Sequence, residues 1–201
     1  MLRVGLTGGL ASGKTFVGHA LEELGCHVIR ADELGHQVLL PGTEAFEPVI
    51  HEFGRGVLAD DGTIDRRKLA KLVFERPEQL AKLNAIVHPA VFRREERMME
   101  EFSAADPHGI AVVEAAILVE TGSYKRFDRL IVVVCTIEQQ LERAMRRDSY
   151  TREETLARLK RQLPLEEKVR LADYVIDTSG TKESTLEQTH QVYQSLRSIT
   201  T

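Results

Sequence analysis

Short apolar runs recur along the chain, separated by longer stretches with helical periodicity. Five runs read as strands, at residues 2–7, 27–30, 110–114, 129–135 and 174–177. Three of them are nearly continuous in Val, Ile and Ala, the pattern of parallel strands buried on both faces. After the first run, Phe16, Val17, Ala20, Leu21 and Leu24 mark one apolar helix face, and Gly25 is a natural stop. The alternation predicts β-α-β units: an α/β fold of three layers around a five-stranded parallel sheet. Ligands in such sheets sit at the carboxyl ends of the strands. The residues that follow strands one, two and three are therefore the first candidates for chemistry.

Two insertions interrupt the alternation. Between strands two and three, helical patterns occur at 33–40, 43–53, 66–74, 77–83 and 89–102, the last with Pro89 at the favoured first helical position. Between strands four and five lies a second helical region, over 139–170. The expected organisation is one unit, with core segments at about 1–32, 108–138 and 171–201, a helical insert at about 33–107 and a further helical segment at about 139–170.

The turn after strand one reads Gly8-Gly9-Leu10-Ala11-Ser12-Gly13-Lys14-Thr15, a G-x-x-x-x-G-K-T phosphate-binding loop between a strand and a helix. Gly8 and Gly13 allow backbone angles that let successive N–H groups curl around a phosphate. Lys14 brings a cation to the β- and γ-phosphates, and the Thr15 hydroxyl can ligate Mg²⁺. The helix opening at Gly13 adds its positive dipole end. A nucleoside triphosphate is the implied ligand, held by Gly8, Gly9, Ala11, Ser12, Gly13, Lys14, Thr15 and Phe16. A phosphate loop with a helical insert after strand two and another after strand four has the layout of a nucleoside-monophosphate-type kinase. One insert would hold the acceptor, and 139–170 would close as a lid.

Composition narrows the setting. The 201 residues are 42% hydrophobic and 29% charged, the make-up of a soluble globular protein. No run approaches the roughly 20 apolar residues that span a bilayer. No charged-then-apolar leader opens the chain. The two cysteines, Cys26 and Cys135, lie in or beside strands and read as buried thiols. A cytoplasmic address is expected. The net charge of −4 argues against general nucleic-acid binding, yet residues 143–170 carry nine Lys and Arg against five acids, a local +4 in a chain otherwise −8. A small anionic ligand fits that distribution, as does a solvated helix pair.

Phosphoryl transfer needs a positioned nucleophile, neutralised phosphate charge and exclusion of water. Asp32, just after strand two, could accept the proton of an acceptor hydroxyl, or cap the helix starting at Glu33; the two roles are compatible. Glu114, ending strand three, could bond a metal-bound water or simply close the strand. Arg143, Arg146 and Arg147 fall at i, i+3 and i+4, one helix face, and their guanidinium forks suit phosphate oxygens. His88, before Pro89, could contact the acceptor or act as a capping or core residue. The histidines and cysteines form no zinc-like cluster.

Taken together, these residues resemble the dephospho-coenzyme A kinase family over nearly the whole chain. The resemblance rests on Leu6 through Thr15, on Ala31-Asp32-Glu33-Leu34-Gly35-His36 and on Leu83-Asn84-Ala85-Ile86-Val87-His88-Pro89. It continues through Arg143 and Arg147, Arg158, Gln162, Glu167-Lys168 and Ala172-Asp173-Tyr174-Val175-Ile176-Asp177, then Gly180. It implies ATP-dependent phosphorylation of the ribose 3′-hydroxyl of dephospho-coenzyme A, with ATP on 11–16, Asp32 as base and the helical insert as the coenzyme-binding part. Mg²⁺ accompanies ATP, and the partners are small molecules. The chain departs from the family pattern at Ala116-Ile117-Leu118, where Pro-Leu-Leu is common, and at Thr178, where Asn is common.

Two other readings fit parts of the sequence. Another small-molecule kinase would share the loop but act on a nucleoside or nucleotide. A nucleotide-driven switch would share it too, but neither an Asn-Lys-x-Asp segment nor an Asp-x-x-Gly segment after strand three is present.

Overall fold

Five parallel strands, β1 (Leu2–Gly8), β2 (His27–Arg30), β3 (Ile110–Glu114), β4 (Arg129–Val134) and β5 (Tyr174–Asp177), form one sheet in the order β2-β3-β1-β4-β5. This computed structural model describes residues 1–74, 76–148 and 151–200. Glu75 of the expected insert and Ser149 and Tyr150 of the expected lid lie outside them. Among the described residues the sheet is all-parallel, as the continuous Val and Ile runs require. β1 ends one residue later than its apolar run, at Gly8, and β4 one residue earlier, at Val134.

The residues fall into two compact units, 1–30 with 99–201 and 31–98. In the first, α1 (Lys14–Glu23) and α9 (Lys182–Thr200) cover one sheet face. Val17, Leu21, Val192 and Leu196 pack there against Leu2, Val4, Leu6, Ile110, Val112, Ile131, Val133 and Ile176. On the other face Gly5 lies against Phe127, Leu118 and Leu130; a Cβ on it would come within 2.9 Å of the Phe127 ring. Further helices of this unit are α6 (Ile137–Asp148), α7 (Arg152–Leu159) and α8 (Leu165–Val169). A capping box opens α7: the Thr151 hydroxyl accepts from Glu154 N–H while the Glu154 carboxylate accepts from Thr151 N–H. Cys26 and Cys135 are free, buried thiols.

The second unit holds α2 (Ala31–Gln37), α3 (Phe46–Phe53), α4 (Arg66–Phe74) and most of α5 (Pro77–Ala105). Phe46, Val49, Val57, Ile64, Leu69 and Val73 form its own core. Three sequence expectations change here. The helix after strand two begins at Ala31, immediately beyond Arg30, so Asp32 lies in its first turn and is not its cap. The expected helix at 43–53 starts only at Phe46, because Gly42 adopts φ 80° and the Thr43 hydroxyl donates to the Val38 and Leu40 carbonyls, holding a turn instead. The two helices expected at 77–83 and 89–102 are one 29-residue helix with Pro89 inside it. Leu83, Val87, Ala90, Val91, Met98, Met99 and Phe102 stay in phase on one apolar face across the proline, so burial outweighs the single backbone bond that Pro89 removes. His88 is thus a mid-helix residue.

Candidate active site

The phosphate loop is shaped by contacts that exclude side chains. A Cβ on Gly8 would sit 2.4 Å from the Val133 backbone carbonyl, and one on Gly9 would sit 2.1 Å from Gln140 Nε2. Ala11 (φ 51°) and Gly13 (φ 93°) take left-handed backbone angles that turn the loop back on itself. No side chain caps the start of α1 at Gly13, which leaves its first-turn N–H groups to an anion. The Lys14 ammonium donates to the Gly9 carbonyl (3.0 Å), wrapping the loop it serves. The Thr15 hydroxyl donates to Glu114 Oε1 at 2.7 Å, bringing together the two residues expected to serve a metal.

Residues 11–16 and Arg143, Arg146 and Arg147 from α6 line one cleft of about 410 Å³. The i, i+3, i+4 spacing therefore does present three cations to the loop. Arg143 is already engaged: Nη1 donates to Thr178 Oγ1 (2.9 Å) and Nη2 to the Thr178 carbonyl (2.8 Å). Thr178 is buried and its hydroxyl in turn donates to the Ser12 carbonyl (2.7 Å). This relay ties α6 to the loop through the turn after β5. Close by, burial pushes the Cys135 thiol upward against the opposing charge of Arg143.

Asp32 and His88 belong to the 31–98 unit. Asp32 is exposed in the first turn of α2, where a carboxylate is favoured by the helix dipole. His88 is half-buried, its ring 6.2 Å from that of Phe92, and burial holds its pKa below the usual 6.5. Burial thus favours the uncharged ring.

Four loop-supporting residues were not legible as such. Thr178 stood out only as a departure from a family pattern. Gln162 accepts from the Leu10 N–H (2.8 Å), and buried Gln140 sets its amide against Gly9. Lys168 has no exposed surface at all, although it lies in a segment whose charge fits a small anionic ligand or a solvated helix pair. Only a lysine flanked by Pro164, Leu165 and Val169 hinted at burial.

Comparison with known proteins agrees with this geometry. The family model described as dephospho-CoA kinase matches residues 2–184. A dephospho-CoA kinase from Carboxydothermus hydrogenoformans is 44% identical over 191 residues, covering 95% of this chain and 92% of the relative. Among solved structures, TT1252 from Thermus thermophilus superposes with a TM-score of 0.80 at 33% identity, covering 96% of each chain. Dephospho-CoA kinase from Campylobacter jejuni gives 0.74 at 26% identity, over 99% of this chain and 98% of that one. The chain belongs to the dephospho-CoA kinase family, P-loop phosphotransferases that phosphorylate dephospho-coenzyme A in coenzyme A biosynthesis.

Proposed function

We propose that the chain transfers the γ-phosphoryl of ATP to the ribose 3′-hydroxyl of dephospho-coenzyme A, with the 11–16 loop as the triphosphate cradle. The observation that carries this reading is the single cleft where the loop, Lys14 and three α6 arginines converge. Lys14 neutralises charge on the β- and γ-phosphates, and charge stabilisation is the main catalytic contribution in phosphoryl transfer. Arg147 closes on the transferred group. Arg143 reaches the phosphates by exchanging its Thr178 contacts for phosphate oxygens, its planar fork suiting both.

Mg²⁺ fits the Thr15 and Glu114 pair. Glu114 is 8% exposed, and its Oε2 is buried without a hydrogen-bond partner while Oε1 takes the Thr15 hydroxyl. A buried carboxylate oxygen of that kind suits a metal-bound water, and Mg²⁺ keeps several waters and few protein ligands. Thr15 would hold the ion directly and Glu114 through water. Bound there, the ion supplies neutralisation across the phosphate oxygens.

Asp32 acts as the base that orients and deprotonates the 3′-hydroxyl, two residues past the end of β2. The 31–98 unit takes the coenzyme, with His88 as a hydrogen-bonding contact, and 139–170 serves as the lid. The partners are small molecules in the cytoplasm, with no nucleic acid; among the described residues no helix is long and apolar enough to cross a membrane. The test of the metal assignment is a Mg²⁺ titration of turnover with Glu114→Gln. Expected is a several-fold higher Mg²⁺ requirement with metal-free ATP affinity unchanged. An identical Mg²⁺ dependence in the variant removes Glu114 from the metal site.

A further inference from the structure

Among the described residues Lys168 is the largest side chain with no exposure to solvent, and the chemistry above makes no use of it. A buried ammonium is costly unless each of its donors is taken. Here all three are: Lys168 Nζ bonds Glu120 Oε1 at 2.7 Å, the Ala116 carbonyl at 3.0 Å and the Gly8 carbonyl at 3.4 Å. These acceptors come from different places. Gly8 ends β1 and is the root of the phosphate loop, Ala116 lies two residues past Glu114 at the end of β3, and Glu120 lies in the turn beyond. A side chain of similar volume without the charge, such as Met, would fill the space and join none of them.

We propose that Lys168 is a positioning residue for phosphoryl transfer, fixing the root of the phosphate loop against the segment that follows Glu114. This rests on the reading of that loop as the triphosphate cradle. β1 and β3 are neighbours, paired in register up to Leu6 and Glu114. Beyond that pair the seam continues through Ala115 N–H to the Leu6 carbonyl (3.0 Å) and the Thr7 hydroxyl to the Ala116 carbonyl (3.3 Å). Lys168 closes the seam where the strands diverge into the two catalytic segments. It thereby sets the spacing between the loop that carries Lys14 and Thr15 and the carboxylate of Glu114.

The bond to Gly8 has a second effect. In a trans peptide the carbonyl and the next N–H point in opposite directions. Drawing the Gly8 carbonyl toward Lys168 turns the Gly9 N–H the other way, and the cation polarises that peptide into a stronger donor. The same segment grips the loop a second time, since Gln162 accepts from the Leu10 N–H at 2.8 Å. Glu120 is anchored independently by the Leu163 N–H (3.2 Å), so the ammonium is held from a fixed point.

The experiment compares Lys168→Met, Glu120→Gln and the double variant, with Lys14→Ala beside them. Each is assayed well below its melting temperature for ADP affinity, kcat and the KM of each substrate. Lys168→Met strands the Glu120 carboxylate, so it will melt lower; the double variant removes both charges and regains much of that loss. If Lys168 positions the loop, ADP affinity and kcat fall by at least about tenfold in Lys168→Met, the equivalent of one hydrogen bond to a charged group. The KM for dephospho-coenzyme A stays within about twofold, and the kinetic defect persists in the double variant although melting recovers. Glu120→Gln, which keeps an acceptor for Lys168, retains turnover. Kinetics that recover together with melting in the double variant, or a Glu120→Gln defect equal to that of Lys168→Met, overturn the proposal. Lys14→Ala separates the two levels: if it too leaves ADP binding and turnover intact, the cradle reading fails; if it is impaired while Lys168→Met is not, only the positioning role fails.

Discussion

Two adjacent glycines of the phosphate loop should respond very differently to the same added methyl. An alanine at Gly8 places Cβ 2.4 Å from the Val133 carbonyl oxygen and 2.6 Å from Ser12 Oγ, roughly 1 Å short of an ordinary contact. Val133 is backbone of β4, paired with Gly8 in the sheet, and cannot yield alone. The loop root must therefore move. Overpacking of this kind costs about 1–3 kcal/mol, equivalent to roughly 3–10 °C in a domain this size. A displacement of about 1 Å in a catalytic element costs on the order of 10²-fold in rate. At Gly9 the obstacle is closer, Gln140 Nε2 at 2.1 Å, but it is the end of a flexible side chain and has no hydrogen-bond partner to lose. Gly9→Ala should thus melt within about 2 °C of the parent, with a rate loss under about tenfold that Gln140→Ala reduces further. Melting curves, ADP titration and kcat on the two variants decide the matter. A Gly8→Ala enzyme that melts and turns over like the parent, or a Gly9→Ala enzyme that is the worse of the two, would refute the backbone-contact argument.

Lys14→Ala should keep the fold and lose at least about 10²-fold in kcat, read by a coupled assay on protein of unchanged melting temperature. Arg147→Lys should be nearly as impaired as Arg147→Ala, because an ammonium cannot reproduce the fork, with kcat falling more than the KM for ATP rises. Stability should decline as pH falls below about 6.5. Burial lowers the pKa of His88, and burial followed by the Arg66 charge lowers that of His36, so the unfolded chain takes up protons first; the contribution is intact above 6.5 and lost toward the lower folded values. His88→Asn should flatten that decline in melting curves between pH 7 and 5.5. Burial pushes Cys26 up to about 12, so it should resist a thiol reagent until the chain unfolds.

Legibility followed the reach of the signal. Strands and the phosphate loop were readable because each is local: β2, β3 and β5 match their apolar runs, and the loop runs from the end of β1 to the start of α1 with Gly13 at a positive φ. The arginine face was readable from helical spacing, since α6 needs only its own period to align three side chains. Pro89 signals a helix start by its own local preference, whereas the apolar face that runs in phase through it spans the whole of α5. Asp32 fell in a first turn because β2 passes into α2 without a loop, which no propensity announces. Thr178, Gln162 and Lys168 depend on contacts across 35 to 166 positions of sequence, where composition shows only polar residues.

The most direct measurement is a single-turnover reaction of the purified protein with ATP, Mg²⁺ and dephospho-coenzyme A, its product read by mass and phosphorus NMR, in parallel with Asp32→Asn. Expected is one phosphate on the ribose 3′-hydroxyl with one ADP released. The variant should bind ATP normally and transfer about 10²–10⁴-fold more slowly, the range of general-base assistance. A folded, ATP-binding protein that leaves dephospho-coenzyme A unmodified or phosphorylates another hydroxyl contradicts the assigned reaction, and an Asp32→Asn enzyme with undiminished transfer contradicts the assigned base.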